Sequence, residues 1–357
     1  MIELATTYPN RCPDPTAKAV ELAYLSFERS DLDEAERFLT DFGLVTVERT
    51  SDALWLRATG PAPFCCAVTQ GRKDRFLGLA FRVSTRSELV SLGRVRGASP
   101  IEPMEGPGEG ERVRLVDPNG FTVDAVHGQV PAEPLPHRQP LCVNSPDIHS
   151  RINDTQRSPV APPEVTKLGH VVLDVVRFED TCGWYSEHFG MIPSDVQVLP
   201  DGSPAVVFMR MDLGETPTDH HTLALAQGFA VGFGHCAYEV VDADAVGMGQ
   251  RYLEERGWRH AWGVGRHVLG SQVFDYWNDP SGAKHEHYSD GDQFTAGQPM
   301  GVHAVSRRAM SQWGPVMPKS FIKPKITASN LLALARVFGP NADVKPRTVL
   351  NLMKAMD

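Results

Sequence analysis

The segment Val116-Asp-Pro-Asn-Gly120-Phe-Thr-Val-Asp124 returns later in the chain as Asn278-Asp-Pro-Ser-Gly282-Ala-Lys-His-Glu286, at an offset of 162 positions (279 minus 117). Each copy predicts a strand, a turn over Pro and Gly, and a second strand. Residues 29–43 align with 177–190 in the same way, and residues 78–83 align with 235–240. The chain is therefore internally duplicated.

Each half also divides into two smaller units that begin with an apolar run and continue with a short amphipathic helix. Ser30-x-x-Asp33 predicts the start of the first helix, Ser84 or Thr85 the start of the second, and Asp242 that of the fourth. Gly43, Gly93 and Gly257 suit the ends of the same helices. Because strand-like pieces follow every helix, we expect an α+β fold of two tandem domains, each built from paired βαβββ modules.

The predicted boundaries follow the composition. Residues 1–128 form the first domain, residues 129–165 with eight prolines form an extended linker, and residues 166–300 form the second domain. Residues 301–357 form a C-terminal helical extension, with one helix starting at Thr327 or Ser329 and another near Pro346. The apolar faces of these helices can pack on the chain's own body or on a second subunit.

Composition narrows the classes of partner. The 357 residues are 41% apolar and 22% charged, with a net charge of −9, so no basic surface for nucleic acid or anionic membrane is expected. The start of the chain has no basic and apolar leader, and six cysteines without a Cys-x-x-Cys pair suggest free thiols. We therefore expect a cytoplasmic protein.

His170 and His235 each sit near the start of an apolar β-branched run, and Glu286 follows the repeated turn. Two imidazoles and one carboxylate can hold one face of a metal ion and leave its other positions open. Through the repeats these residues align with Leu22, Gly78 and Asp124, so two of the three ligand positions are lost in the first half. We therefore expect the first half to be a degenerate, metal-free copy in which Asp124 has a structural role. Because neighbours in a strand point to opposite faces, His285 and His287 are not expected to join Glu286.

A resemblance adds roles to these residues. Gly265-Arg-His267, Tyr276-Trp-Asn-Asp-Pro280-Ser-Gly282 and Glu286 resemble the signature of the type I extradiol ring-cleavage dioxygenases in the vicinal oxygen chelate superfamily, the glyoxalase-like fold. The repeats that carry the resemblance cover nearly all of residues 18–292. The stretch Asp219-His-His221-Thr-Leu-Ala resembles the segment that supplies the family's acid-base histidine, and His221 is the better match than His220.

The chain also departs from the pattern of members that act on biphenyl diols. It has Leu269-Gly270 where many of them carry Asn-Asp, and Asp275 stands before Tyr276 in place of an apolar residue. The segment before Trp277 and the Trp-Gly-Pro sequence at 313–315 more resemble members acting on small polyhydroxylated or alkyl catechols, such as trihydroxytoluene dioxygenase. The identity of the diol is therefore left open.

The resemblance implies an enzyme that holds Fe(II), with Mn(II) as the alternative ion, on His170, His235 and Glu286. A small aromatic diol and O2 are its partners in aromatic catabolism, and the chain is expected to form a homo-oligomer. His221 would exchange protons, while His267 and Tyr276 would hydrogen-bond the substrate oxygen. Two alternatives remain open at this point: a metal-dependent isomerase or lyase of the glyoxalase and epimerase type, and a non-catalytic binder of aromatic ligands.

Overall fold

A computed structural model of the chain describes residues 11–322, 328–339 and 343–355. Its first half runs through β1 (Ala19–Arg29), α1 (Leu32–Asp41), β2 (Val45–Arg49), β3 (Ala53–Arg57), β4 (Cys66–Gln70), β5 (Arg75–Val83), α2 (Arg86–Leu92), β6 (Glu102–Pro103), β7 (Glu111–Val116) and β8 (Thr122–His127).

The second half runs through β9 (Val165–Val175), α3 (Phe178–Phe189), β10 (Ile192–Val198), β11 (Pro204–Arg210), β12 (Thr218–Asp219), β13 (Leu223–Gln227), β14 (Gly232–Val240), α4 (Ala243–Glu255), β15 (Arg259–His267), β16 (Val273–Asn278), β17 (Lys284–Ser289) and β18 (Gln293–Phe294). The C-terminal part adds β19 (Gly301–Ala304), a 3₁₀ helix (Arg307–Met310), β20 (Ser311–Trp313), α5 (Lys319–Ile322), α6 (Ala328–Arg336) and α7 (Pro346–Ala355).

The two large sheets have the same strand order. The first is β2-β3-β4-β1-β5-β8-β7-β6, and the second repeats it as β10-β11-β13-β9-β14-β17-β16-β15, with β19 and β20 added at its two edges. In each sheet the first strands of the two modules, β1 with β5 and β9 with β14, pair antiparallel at the centre. The predicted α+β fold of paired βαβββ modules is confirmed.

The central strands β1 and β9 show the duplication residue by residue. Both have eleven residues and the same succession of buried and half-buried positions, which aligns Ala19 with Val165 and Tyr24 with His170. Tyr24 pairs with Ala80 of β5, just as His170 pairs with Ala237 of β14. The expectation that Leu22 corresponds to His170 is therefore wrong by two positions.

A continuous apolar core joins the two halves. At the end of α1, the ring of the C-cap residue Phe42 stacks on His287 of β17 with the ring centres 3.7 Å apart. On α3, the ring of Phe189 lies 5.1 Å from that of Phe81 on β5. Helices of both halves therefore pack between the two sheets, which leaves the opposite face of each sheet available to form a pocket.

Local capping explains where the helices begin. Thr85 forms a capping box with Glu88 at the start of α2, and Asp242 caps α4, as predicted. At α1 the cap is Asp31, whose carboxylate accepts the Glu34 amide at 2.9 Å, and not Ser30. Ser30 is engaged elsewhere, because its hydroxyl and amide both donate to Asp74.

The C-terminal part is not helical throughout. Residues 301–304 form β19, which pairs parallel with β10, and residues 311–313 form β20 beside β15. Helix α6 begins at Ala328, next to the predicted starts Thr327 and Ser329, of which Thr327 lies outside the described residues. Helix α7 packs Leu352 against the chain's own body, whereas α6 and the turn after it leave apolar side chains exposed: Leu331, Leu332, Leu334 and Phe338.

The described residues between β8 and β9 form neither helix nor strand. They are tied to the second half by Arg138, whose guanidinium donates to both carboxylate oxygens of Asp242 at 2.6 Å. None of the helices in the described ranges combines the length and apolar character needed to cross a membrane.

Candidate active site

Three adjacent strands bring His170, His235 and Glu286 together. His170 on β9 and Glu286 on β17 are both register partners of Ala237 on β14, and His235 lies two residues before Ala237 on the same strand. One ligand atom from each of the three side chains lies within 4.8 Å of the others. Among the described residues, this is the one group of histidine, cysteine and carboxylate side chains with such geometry.

Ligand atoms of Glu286 and His235 are buried and have no hydrogen-bond partners. Both carboxylate oxygens of Glu286, which is fully buried, lack an aligned donor, as does Nε2 of His235. Glu286 Oε2 approaches Nε2 of His170 and His235 at 3.2 and 3.3 Å without the alignment of a hydrogen bond. A buried, unpaired carboxylate is costly, and a cation at the point where these atoms converge would satisfy it. The residues present therefore fit a divalent metal.

Protonation states agree with a ligand set. Burial alone would raise the pKa of Glu286, but the facing imidazoles of His170, His235 and His267 hold it well below its usual value. Burial lowers the pKa of His235 to about 4. A carboxylate and a neutral imidazole are the forms that bind metals.

On one side of the site, His221 is held by a chain of polar side chains. His220 Nδ1 lies 3.0 Å from His221 Nδ1, and its Nε2 lies 2.5 Å from Asp195 on β10. Burial alone would raise the pKa of Asp195, but its hydrogen bonds with His220 and His303 lower it. The carboxylate thus accepts a hydrogen bond from Nε2–H of His220, which leaves Nδ1 of His220 to accept from His221 Nδ1. With its proton on Nδ1, His221 keeps Nε2 unprotonated.

On the other side stand His267 and Tyr276. His267 Nδ1 lies 2.8 Å from the Met310 carbonyl, which can only accept, so Nδ1 carries a proton. Its Nε2 lies 3.0 Å from the Tyr276 hydroxyl and 3.3 Å from Glu286 Oε1. Burial, and secondarily Glu286, raise the pKa of Tyr276 well above its usual value, so the hydroxyl keeps its proton.

The C-terminal part covers this side of the site. The ring of Phe321 on α5 lies 4.9 Å from that of Tyr276 and 6.5 Å from that of His235. Met317 belongs to the same apolar cluster as Tyr276 and Trp262. Side chains from residues 310–321 therefore limit the access of water to the centre.

The six predicted site residues lie together in the structure. The histidines on either side of Glu286 in the sequence point away from them. His285 lies beside Cys236 and Asp279, and His287 lies 2.7 Å from the Phe42 carbonyl, both on the core face of β17. Sequence reasoning missed Asp195, His303 and Phe321. No spacing signal links Asp195 to His220, because the contact arises when β10 packs beside the segment that follows β12, 25 residues further along the chain.

The corresponding position of the first domain holds a different set. The Tyr24 hydroxyl donates to Asp124 at 2.7 Å, and the Arg114 guanidinium approaches the other oxygen of the carboxylate at 3.1 Å. Gly78 stands where the second domain has His235. Asp124 is thus satisfied by side chains of its own domain.

Comparisons with known proteins agree with this geometry. Residues 167–286 match the family model of the Glyoxalase/Bleomycin resistance protein/Dioxygenase superfamily. The chain is 31% identical over 310 residues to metapyrocatechase 2 of Cupriavidus necator, covering 84% of this chain and 90% of that protein.

Solved structures share the fold. One is the Mn(II)-bound glyoxalase from Novosphingobium aromaticivorans, at a TM-score of 0.72 and 20% identity, covering 93% of this chain and 99% of that one. Another is homoprotocatechuate 2,3-dioxygenase from Arthrobacter globiformis, also at a TM-score of 0.72 and 20% identity, covering 90% and 96% of the two chains.

Proposed function

Because the chain belongs to the type I extradiol ring-cleaving dioxygenases of the vicinal oxygen chelate superfamily, we propose that it opens a catechol-type ring beside its two hydroxyl groups. O2 is the second substrate, and the product is a ring-opened acid of the muconic semialdehyde type. The substrate class is a small aromatic diol, and the reaction belongs to the breakdown of aromatic compounds.

His170, His235 and Glu286 are the proposed ligands of Fe(II), with Mn(II) as the alternative ion. When bound there, Fe(II) would offer positions to both diol oxygens and to O2 and a path for electrons between them. The unpaired, fully buried carboxylate of Glu286 supports this assignment. It gives the centre a fixed negative charge that only a cation or a proton can balance.

His221 is the proposed acid-base residue. Burial and the nearby His170 hold the pKa of His221 well below its usual value, so the imidazole is neutral and can take a proton from a diol hydroxyl. The proton would go to Nε2, since Nδ1 donates to His220. The same nitrogen can return the proton when an oxygen of the opening ring needs it.

His267 and Tyr276 are the proposed donors and acceptors for the substrate oxygen opposite His221. The Tyr276 hydroxyl stays protonated, and Nδ1 of His267 donates to the Met310 carbonyl. Both are held in place before substrate arrives, so little reorganisation is needed as charge develops.

The observation that carries the proposal is the convergence of the orphaned ligand atoms with His221 on one side and the His267–Tyr276 pair on the other. A redox-neutral isomerase or a binding protein would not need both a proton-exchanging histidine on one side of the metal ligands and a hydrogen-bonding pair on the other. We further propose a homo-oligomer, which the exposed apolar side chains of α6 support. The six cysteines are free, as expected for the cytoplasm that we propose as its location.

The test is anaerobic loading of the purified protein with Fe(II), followed by O2 uptake and absorbance spectra with a panel of diols. The panel contains catechol, 3- and 4-methylcatechol, 2,3-dihydroxybiphenyl and a trihydroxybenzene. We expect about one Fe(II) per chain and a yellow product formed with equimolar O2 consumption. His170→Ala and Glu286→Gln should lose both the metal and the product.

The matched control is His188→Ala, which removes a half-buried histidine of α3 outside the site. This variant should bind metal and turn over as the parent does. Metal binding without O2 uptake on any diol would favour a redox-neutral isomerase or lyase. Absence of metal binding would overturn the ligand assignment and leave a binding protein.

A further inference from the structure

The first domain contains a cavity of about 330 Å³ on the face of its sheet that points away from the helices. Its walls come from five strands of the sheet, namely β1, β3, β4, β5 and β8, together with β7 at the rim. A small apolar cluster separate from the main core, with Tyr24 and Phe64 buried and Trp55 and Ala67 packed against them, surrounds the cavity. This volume falls in the range of small-molecule sites.

The cavity occupies the position that the metal centre takes in the second domain. Strand register equates Tyr24 with His170 and Gly78 with His235. Arg114 pairs with Asp124 as Tyr276 pairs with Glu286. Both histidine positions and the position of Tyr276 carry other residue types, and only the carboxylate position keeps an acid, Asp124, yet the concave face and its opening remain.

A metal ion does not fit this copy. The carboxylate of Asp124 is already engaged by the Tyr24 hydroxyl at 2.7 Å and the Arg114 guanidinium at 3.1 Å. A side chain cannot be placed at Gly78 without a shift, because its Cβ would lie 2.4 Å from the Thr122 carbonyl oxygen. An organic molecule is the kind of ligand that such walls accept.

The side chains that line the cavity also indicate the chemical class of the organic molecule that it would bind. The rings of Tyr24 and Phe64 lie 4.9 Å apart and, with Trp55, present flat apolar surface. Four charged side chains reach the cavity, and their charges cancel: Glu105 and Asp124 against Arg112 and Arg114. Both arginines already have carboxylate partners, Arg112 with Glu102 at 2.8 Å and Arg114 with Asp124 at 3.1 Å, so neither is free to bind an anion.

We propose that this cavity binds an uncharged, hydroxylated aromatic molecule of one or two rings. The ring would lie against Tyr24, Phe64 and Trp55, and its hydroxyl would donate to the Glu105 carboxylate at the rim. The site needs neither metal nor turnover, so it stands apart from the function proposed for the second domain.

The test uses phenol as the probe, because one hydroxyl group cannot chelate a metal as a diol does. Protein labelled with 15N in its six tryptophans gives indole N–H signals, of which that of Trp55 is identified by its loss in Trp55→Phe. We expect a saturable shift of this signal with phenol. Benzoate and benzylamine, which carry a negative and a positive charge on the same ring, should leave it unchanged.

Two substitutions that fill the cavity test its position. Ala67→Leu on β4 and Ser26→Leu on β1 should each raise the phenol concentration at half-saturation by about tenfold or more. The unchanged signals of the other tryptophans report that the fold is intact, and having two variants guards against one that fails to fold. No saturable shift with phenol, an equal response to benzoate, or unchanged binding in both filled variants would overturn the proposal, whatever the turnover of the second domain.

Discussion

At the scale of single residues, the tautomer of His221 depends on an acceptor that does not touch it. Asp195 fixes the proton of His220 on Nε2, and His220 in turn accepts from His221 Nδ1. Without Asp195, His220 can carry its proton on Nδ1 and donate to His221. The proton of His221 would then lie on the nitrogen that must receive one from the substrate.

We therefore expect Asp195→Ala to lower kcat by about 10²-fold with a smaller change in KM, the magnitude typical of losing general acid-base catalysis. The control is His303→Ala, which removes the other partner of Asp195 but keeps its contact with His220. Steady-state kinetics and 15N chemical shifts of the histidine rings make the measurement. Equal losses in both variants, or an unchanged tautomer in Asp195→Ala, would contradict the positioning role.

The sequence pointed to the six proposed site residues through two signals: the internal repeat for His170, His235 and Glu286, and the family motif for His221, His267, Tyr276 and again Glu286. Asp195 carries neither signal, and it becomes relevant only when β10 packs beside the segment that holds His220. The incorrect alignment of Leu22 with His170 has its own cause. It came from aligning Arg29 with Arg177, whereas Arg29 ends β1 and Arg177 lies between β9 and α3.

At the scale of elements, Asp242 performs two tasks at the start of α4. Its carboxylate accepts the Ala245 amide at 2.9 Å as a helix cap, and it also binds Arg138 and the Leu141 amide of the segment between the domains. Asp31 caps α1 with the same kind of bond and has no such second partner among its described contacts.

This difference gives a matched pair of substitutions. Asp31→Ala should cost about 1 kcal/mol of unfolding free energy, the usual value of a lost cap. Asp242→Ala should cost about 1 kcal/mol more and should also speed proteolysis after Arg138. Urea denaturation and limited trypsin digestion test this. Equal costs with an unchanged digestion rate would mean that the contact with Arg138 contributes nothing.

The contact with Arg138 also predicts a dependence on acid. Burial alone would raise the pKa of Asp242, but hydrogen bonds from Arg138 and two amides lower it to about 2. The folded pKa lies below the unfolded value, so the stabilisation is complete above about pH 4 and declines as the pH falls towards 2. In Asp242→Ala, this part of the loss of stability between pH 4 and 2 should be absent.

The sequence predicted helices well where a capping residue stands directly before an apolar pattern of helical period, as at Thr85 and Asp242. The edge strands β19 and β20 were not predicted. Residues 301–313 carry little alternation of their own, and they become strands because open edges of the second sheet offer unpaired backbone groups.

At the scale of the whole molecule, the two duplicated sheets share one apolar core but differ in the side chains at their corresponding sites. The second keeps the ligand atoms unpaired and buried, and the first neutralises its remaining carboxylate with Tyr24 and Arg114. The shared core means that the first domain supports the second even where it holds no metal. Phe42 illustrates this, since its carbonyl accepts from His287 next to Glu286.

The ion pair between Arg29 of β1 and Asp279 of the repeated turn is one contact through which the first domain supports the second. It joins the two halves at 2.8 Å, and both side chains are more than nine-tenths buried. Burial alone would raise the pKa of Asp279, but His285 and Arg29 hold it well below its usual value. Removing Arg29 therefore leaves a buried charge that one histidine must balance.

We expect Arg29→Ala to lower the unfolding free energy by about 3–5 kcal/mol, because an uncompensated buried charge costs more than the pair contributes. Arg75→Ala is the control: its ion pair with Glu28 involves an arginine that is 60% exposed, so the loss should stay below about 1 kcal/mol. Urea denaturation followed by tryptophan fluorescence makes the comparison. The double variant Arg29→Met with Asp279→Asn should recover much of the loss, since both charges are then gone. Similar losses for Arg29→Ala and Arg75→Ala would show that the two sheets are held together by their shared apolar core, with the ion pair adding little.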